Sequence, residues 1–160
     1  MSLLTINGHD VDARPGENVI DVARRHGLHI WFLCDGRGLC RTCECRVLSG
    51  GDQLSPPSRS ECESLSKGRR AEGFRLACQA TIEGTGRVDI ISTAEHLRRL
   101  GAALDLRELL SELTRFSLDF SSNLPGSAMK VVPRLLSMPP SPRGVQRYVR
   151  DGLRMIARLF

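Results

Sequence analysis

The sequence predicts an α+β domain over residues 1–92, followed by a basic, α-helical extension over residues 93–160. Three observations carry that reading. Short apolar segments bounded by turn residues recur through the first part, as a small sheet requires. One amphipathic helix lies among them. At Thr93 both the pattern and the charge change: the first 92 residues hold 12 Lys+Arg and 12 Asp+Glu, whereas the remaining 68 hold 11 and 6 and carry the whole net charge of +5.

The elements follow in order. Leu3–Ile6 and Val11–Ala13 flank Asn7-Gly8, a dipeptide that tolerates the two positive φ angles of a type I′ hairpin turn. After Pro15-Gly16, residues Asn18–His26 place Val19, Ile20, Val22 and Ala23 on one side of a helix, with Gly27 as its stop. Ile30–Leu33 is a short apolar run that feeds a Gly- and Cys-rich loop over 34–45. Glu44–Leu48 alternates polar and apolar residues and ends at Ser49-Gly50-Gly51, as a strand and turn do. Ser58 and Glu61 have the spacing of a capping box, so Arg59–Ser66 is predicted as a short helix. Phe74–Gln79 and Arg87–Ile91 read as strands on either side of the Gly84–Gly86 turn. The expectation is five strands and two helices.

Beyond Thr93, leucines at 97, 100, 104, 106, 109, 110, 113 and 118 have helical spacing, interrupted near Gly101. Residues 121–126 read as a loop, and Met138-Pro139-Pro140-Ser141-Pro142 is a break. Arg143–Phe160 is strongly amphipathic. At about 100° per residue, Arg147, Arg150, Arg154 and Arg158 fall on one stripe, opposite Val145, Val149, Leu153, Ile156 and Phe160. Three roles suit this helix: packing on its own domain, docking in a protein groove, or lying on an anionic membrane surface. No DNA-binding motif accompanies the charge, so nucleic acid is not expected.

Six cysteines stand in a chain whose first residues carry no basic start followed by an apolar run. The expected setting is therefore the cytoplasm, with the inner face of a membrane as a peripheral alternative. In a reducing compartment, clustered thiols bind metal or do redox work more often than they form disulfides. Five residues separate Cys34 from Cys40, and two separate Cys40 from Cys43. Cys78 follows in Arg75-Leu76-Ala77-Cys78-Gln79. Two irons bridged by two sulfides need four terminal thiolates, and this spacing supplies three from one loop and one from a later strand. Gly36 and Gly38 let the loop curl so that backbone N–H groups face the sulfurs. A four-cysteine zinc site usually shows two Cys-x-x-Cys knuckles, and here only Cys40 and Cys43 form one.

Residues 1–92 resemble the [2Fe–2S] ferredoxins of the plant and vertebrate types. The likeness lies in Pro15–Gly27, the cysteine loop, Arg46–Gly51, Pro56-Pro57 and Arg75–Gln79. Five residues between the first two cysteines look more like the adrenodoxin-type loop than the plant spacing of four. The wording also looks like ferredoxin modules fused to bacterial signalling and oxygenase-reductase proteins. The resemblance implies a β-grasp fold, a [2Fe–2S] cluster near the surface, and Cys34, Cys40, Cys43 and Cys78 as its ligands. The segment 58–70 mixes Glu61 and Glu63 with Arg59, Lys67, Arg69 and Arg70, so the acidic docking surface of adrenodoxin is not reproduced.

Cys45 reads as a small buried hydrophobe, with a ligand swap from Cys43 as the alternative. Cys62 lies on the predicted helix, where redox sensing is the alternative to a plain surface thiol. His9, His26, His29 and His96 are scattered and form no catalytic dyad. The expected function is one-electron carriage rather than enzymatic turnover. The partner is a reductase, an oxygenase or a larger electron-transfer complex. Two competitors stand beside it: a relay or assembly subunit anchored through the extension, and a redox sensor whose cluster state controls the tail.

Overall fold

A computed structural model describes residues 2–32, 34–115 and 117–118. Five strands form one mixed sheet in the order β2-β1-β5-β3-β4, with β1 Ser2–Ile6, β2 His9–Ala13, β3 Glu44–Ser49, β4 Phe74–Leu76 and β5 Arg87–Ser92. β1 and β2 pair antiparallel through the Asn7-Gly8 turn, where φ is +55° and +88° as a type I′ turn demands. β1 also pairs parallel with β5, which places the two ends of the domain side by side. Parallel pairing needs a long crossover, and the chain uses it to carry the helix and the cysteine loop.

Helix α1 (Val19–Arg25) crosses one face of the sheet and buries Val19, Ile20, Val22 and Ala23. Against it lie Leu4, Ile6, Leu76, Val88 and Ile90, all at most 1% exposed. Burial of each such side chain contributes about 1.5–3 kcal/mol. These aliphatic side chains let the core form with few aromatics. The architecture is the β-grasp ferredoxin fold, with further helices after the last strand.

The helix predicted over Arg59–Ser66 ends at Ser64, and a further short helix that the sequence does not predict follows it. Helix α2 (Arg59–Ser64) starts with the Ser58/Glu61 capping box, and helix α3 (Lys67–Ala71) has its own cap, Ser66 Oγ accepting from Arg69 N–H. Leu65, extended at φ −107° and fully buried, breaks the run between them. The sequence predicts one strand over 74–79, but β4 stops at Leu76. Gln79 and Ala80 N–H both bond back to the Leu76 carbonyl, closing a tight turn. Cys78 therefore sits in a turn instead of a ladder.

The chain enters the extension without a linker. Ser92 caps helix α4 (Thr93–Ala102), and Thr93 Oγ1 donates to the Glu44 carbonyl on β3. Leu104, at φ +54°, turns the chain into a second helical run over 106–115. The break comes three residues after Gly101, which itself lies within α4. The predicted loop at 121–126, the proline break at 138–142 and the Arg143–Phe160 helix lie outside the described residues.

Gly50 is the tightest backbone approach. Its φ is +73°, and a Cβ there would sit 2.0 Å from the Arg87 carbonyl oxygen, which a sheet strand cannot move aside. Gly50→Ala is expected to destabilise the fold by about 1–3 kcal/mol. Thermal unfolding checks this, and an unchanged midpoint would contradict it.

Candidate metal centre

The cysteine loop runs from Cys34 to Cys43 between the end of the α1 segment and β3. Its curl comes from a run of left-handed residues: Asp35, Gly36, Gly38 and Arg41 have φ of +53°, +81°, +70° and +57°. Two of these are the glycines expected from the sequence; Asp35 and Arg41 are not legible there. A Cβ on Gly38 would lie 2.9 Å from Ser60 Cβ and 3.1 Å from Gln79 Cδ, so the loop is pressed against α2 and the Cys78 turn.

The structure brings all four expected cysteines to one place. Cys43 Sγ and Cys78 Sγ are 3.3 Å apart. Cys34 and Cys40 are in hydrogen-bonding contact with each other. Cys34, Cys43 and Cys78 are buried and Cys40 is half-buried, so the group approaches the surface on the Cys40 side. Among the described residues, no three or more ligating side chains converge on a single ion position. The sulfurs come instead as two pairs, which fits a binuclear centre with two terminal thiolates per iron. None of these cysteines is in a disulfide.

As free thiols the two pairs are unsettled. The hydrogen bond from Cys40, then burial, pushes Cys34 well above the ordinary thiol range. The bond to Cys78, then burial, does the same to Cys43. That same bond lowers Cys78. Backbone N–H groups are already aimed at sulfur: those of Leu39 and Cys40 at Cys34, and that of Gly38 at Cys78. Such donors stabilise thiolate charge, and hydrogen bonds to the sulfurs tune the potential of an iron–sulfur centre. The chemistry of this donor set therefore fits a [2Fe–2S] cluster.

Buried charges back the loop. Glu44, fully buried, receives Arg41 Nη2 at 2.9 Å and also pairs with Arg69, which stacks over the Phe74 ring. Arg69 reaches Glu112 of the extension at 3.6 Å. Glu61, also fully buried, accepts from Arg75 Nε at 2.8 Å and from the N–H groups of Leu76 and Ser58 at 2.9 and 2.8 Å. The sequence identified Glu61 only as a cap. It gave no sign of the Arg75 and Arg69 partnerships, because ion pairs between distant segments leave no local pattern.

Cys45 lies beyond the site. It is fully buried, its Sγ donates to the Arg75 carbonyl at 3.6 Å, and burial pushes its thiol up to about 12. Cys62 is exposed, with Arg70 Nη1 donating to its sulfur at 3.0 Å. Among the histidines, His26 ends α1 and contacts the Asp12 carbonyl, and His29 packs edge-on against Trp31.

A mixed sheet with one crossing helix, carrying three thiols in a curled loop and a fourth in the turn after β4, defines an iron–sulfur protein of the electron-transfer class. Residues 4–83 match the 2Fe-2S iron-sulfur cluster binding domain, half of the chain, and the chain belongs to that family. The family binds a [2Fe–2S] cluster, and its domain serves electron transfer. The 2Fe-2S ferredoxin of Escherichia coli K12 is 37% identical over 77 residues, which are 48% of this chain and 69% of that protein. Chlorosome protein J of Chlorobaculum tepidum is 28% identical over 157 residues, 98% of this chain and 70% of that protein. Among solved structures, Amycolatopsis cytochrome P450 reductase GcoB aligns with a TM-score of 0.50 and 32% identity, over 59% of this chain and 26% of that one. The likeness to chlorosome protein J thus runs through the extension as well as the domain. Among the described residues no helix is long and apolar enough to cross a membrane.

Proposed function

We propose that this chain is a one-electron relay held within a larger assembly of the chlorosome kind. Cys34, Cys40, Cys43 and Cys78 would hold the cluster as its four terminal thiolates. Residues 1–92 carry the cluster, and residues 93–160 fix the chain to the assembly. The observation that carries the reading is the two sulfur pairs. When bound, the cluster accepts and returns a single electron. The chain's part is to hold four thiolates, to point N–H groups at them, and to leave the Cys40 side near the surface for a docked partner. That chemistry needs no substrate pocket, so the chain works as a carrier and not as an enzyme.

The assembly role rests on the likeness to chlorosome protein J across the extension and on the contacts that seat the start of that extension. Arg99 Nη2 donates to the Asn7 carbonyl at 3.0 Å, and Glu112 faces Arg69. The first test compares the full chain with one ending at residue 118, which keeps these contacts. Both are expected to be brown and to give a spin-half signal on reduction, while only the full chain associates with the assembly. A truncated chain that still associates would place the attachment elsewhere.

A second reading has one observation in its favour. The line Glu112–Arg69–Glu44–Arg41 joins the extension to the residue after Cys40. A sensor in which the cluster state loosens the extension would use that line. It predicts different protease cleavage beyond Thr93 in the oxidised and reduced protein, and identical patterns would count against it.

A further inference from the structure

Gln79 follows the fourth cysteine, and its side chain is turned back onto the cysteine loop. Its Nε2 donates to the Gly36 carbonyl at 2.8 Å, and lies 3.3 Å from the Cys78 carbonyl and 3.6 Å from Cys78 Sγ. The amide has two hydrogens. One satisfies Gly36, and the other is shared between the carbonyl and sulfur of Cys78. Ser58 Oγ, at the start of α2, donates to Gln79 Oε1 at 3.4 Å. This set fixes the orientation of the amide: the flipped form would press an oxygen against the Gly36 carbonyl and against a sulfur that is anionic when it binds iron. The side chain also packs closely on the loop: a Cβ on Gly38 would lie 3.1 Å from its Cδ and 3.2 Å from its Cγ.

We propose that Gln79 is a positioning residue that locks the Cys78 turn to the cysteine loop and, through its side-chain N–H to Cys78 Sγ, helps to set the cluster's potential. The inference rests on Cys78 being a ligand, as proposed above. A donor aimed at a ligand sulfur stabilises the more negative, reduced state more than the oxidised one, so it raises the potential. Backbone donors elsewhere in the loop act in the same direction, but they cannot be removed by mutation. Gln79 can, which makes it the accessible handle on this property. Its nearness to Gly36 adds a second effect, because removing it frees one side of the left-handed turn that presents Cys34 and Cys40.

The test is a redox titration of the full-length, cluster-loaded chain followed by electron paramagnetic resonance. Gln79→Met keeps length and packing but removes both donors. It is expected to shift the reduction equilibrium about tenfold toward the oxidised state, which is about 59 mV for one electron. Gln79→Glu also places an oxygen acceptor beside the thiolate and is expected to fall further. A Gln79→Met midpoint equal to the parent's would overturn the inference, because a purely structural role changes cluster loading without moving the potential. The second measurement needs no variant. Parent protein made with glutamine labelled by 15N only in the side-chain amide is reduced, and the nitrogen hyperfine coupling is recorded. Should Gln79→Met fail to load, a resolved coupling to the label supports the inference and its absence overturns it. A parent chain that gives no spin-half signal at all would defeat the ligand reading itself, and the inference with it.

Discussion

Full-length chains carrying Cys34→Ala, Cys40→Ala, Cys43→Ala or Cys78→Ala are expected to purify without colour and without the spin-half signal on reduction. Each removes one of the four proposed ligands, and the nearby Cys45 thiol is turned away to the Arg75 carbonyl. Alanine is the informative choice because a serine oxygen can itself ligate iron. Cys45→Ala is the control that makes the result specific. Cys45 is only two residues from Cys43, yet its sulfur is directed to the Arg75 carbonyl and lies fully buried in the core. Cys45→Ala should therefore keep two irons and two sulfides per chain, as should Cys62→Ala. Iron analysis and visible absorption of the six variants decide the matter. A brown Cys43→Ala chain beside a colourless Cys45→Ala chain would move the third ligand from Cys43 to Cys45. Loss of the cluster should also lower thermal stability, since metal binding to a folded site adds to the free energy of folding.

Much of this was legible in the residues. The Asn7-Gly8 turn, α1 and the Ser58/Glu61 cap are local devices, in which a few neighbouring side chains determine the backbone, and all three stand where the sequence places them. The pairing of the four cysteines was foreshadowed for a different reason: their spacing has few chemical uses. The missed features depend on distant residues. β4 ends early because two N–H groups turn back on Leu76, a choice that local strand propensity opposes. The Leu65 break between α2 and α3 is imposed by the core, which takes the side chain completely. Gln79 looked like one more residue of a strand. Its role follows only once that strand becomes a turn and brings the amide onto Gly36, on the other side of a 43-residue separation.

Glu61→Gln is expected to destabilise the fold by about 3–5 kcal/mol. The wild-type carboxylate is fully buried and accepts from Arg75 through both oxygens, from Leu76 N–H and from Ser58 N–H. It therefore joins the start of α2 to strand β4, just before the turn that carries Cys78. An amide of the same shape keeps the volume but leaves the Arg75 guanidinium buried without a counter-charge. Breaking a buried pair in this way costs about 3–5 kcal/mol. At about 2–4 °C per kcal/mol for a chain of this length, the thermal midpoint should fall on the order of 10 °C. The pH dependence is a second signature. Burial alone would raise the Glu61 carboxyl, but Arg75 and the two backbone N–H groups outweigh it and hold the group below the ordinary glutamate range. A depressed carboxyl contributes stability that is fully present above the unfolded value and is lost as pH falls through the folded one. Wild-type protein should therefore lose this contribution on acidification below about pH 4.5, and Glu61→Gln should lack that part of the acid transition. A double cycle with Arg75→Met separates charge from shape. If the pair acts as described, the double variant should be less destabilised than the sum of the two single changes, because no lone charge is left behind. Additive losses would mean that Glu61 stabilises the fold as a helix cap and a backbone acceptor alone, with Arg75 a bystander.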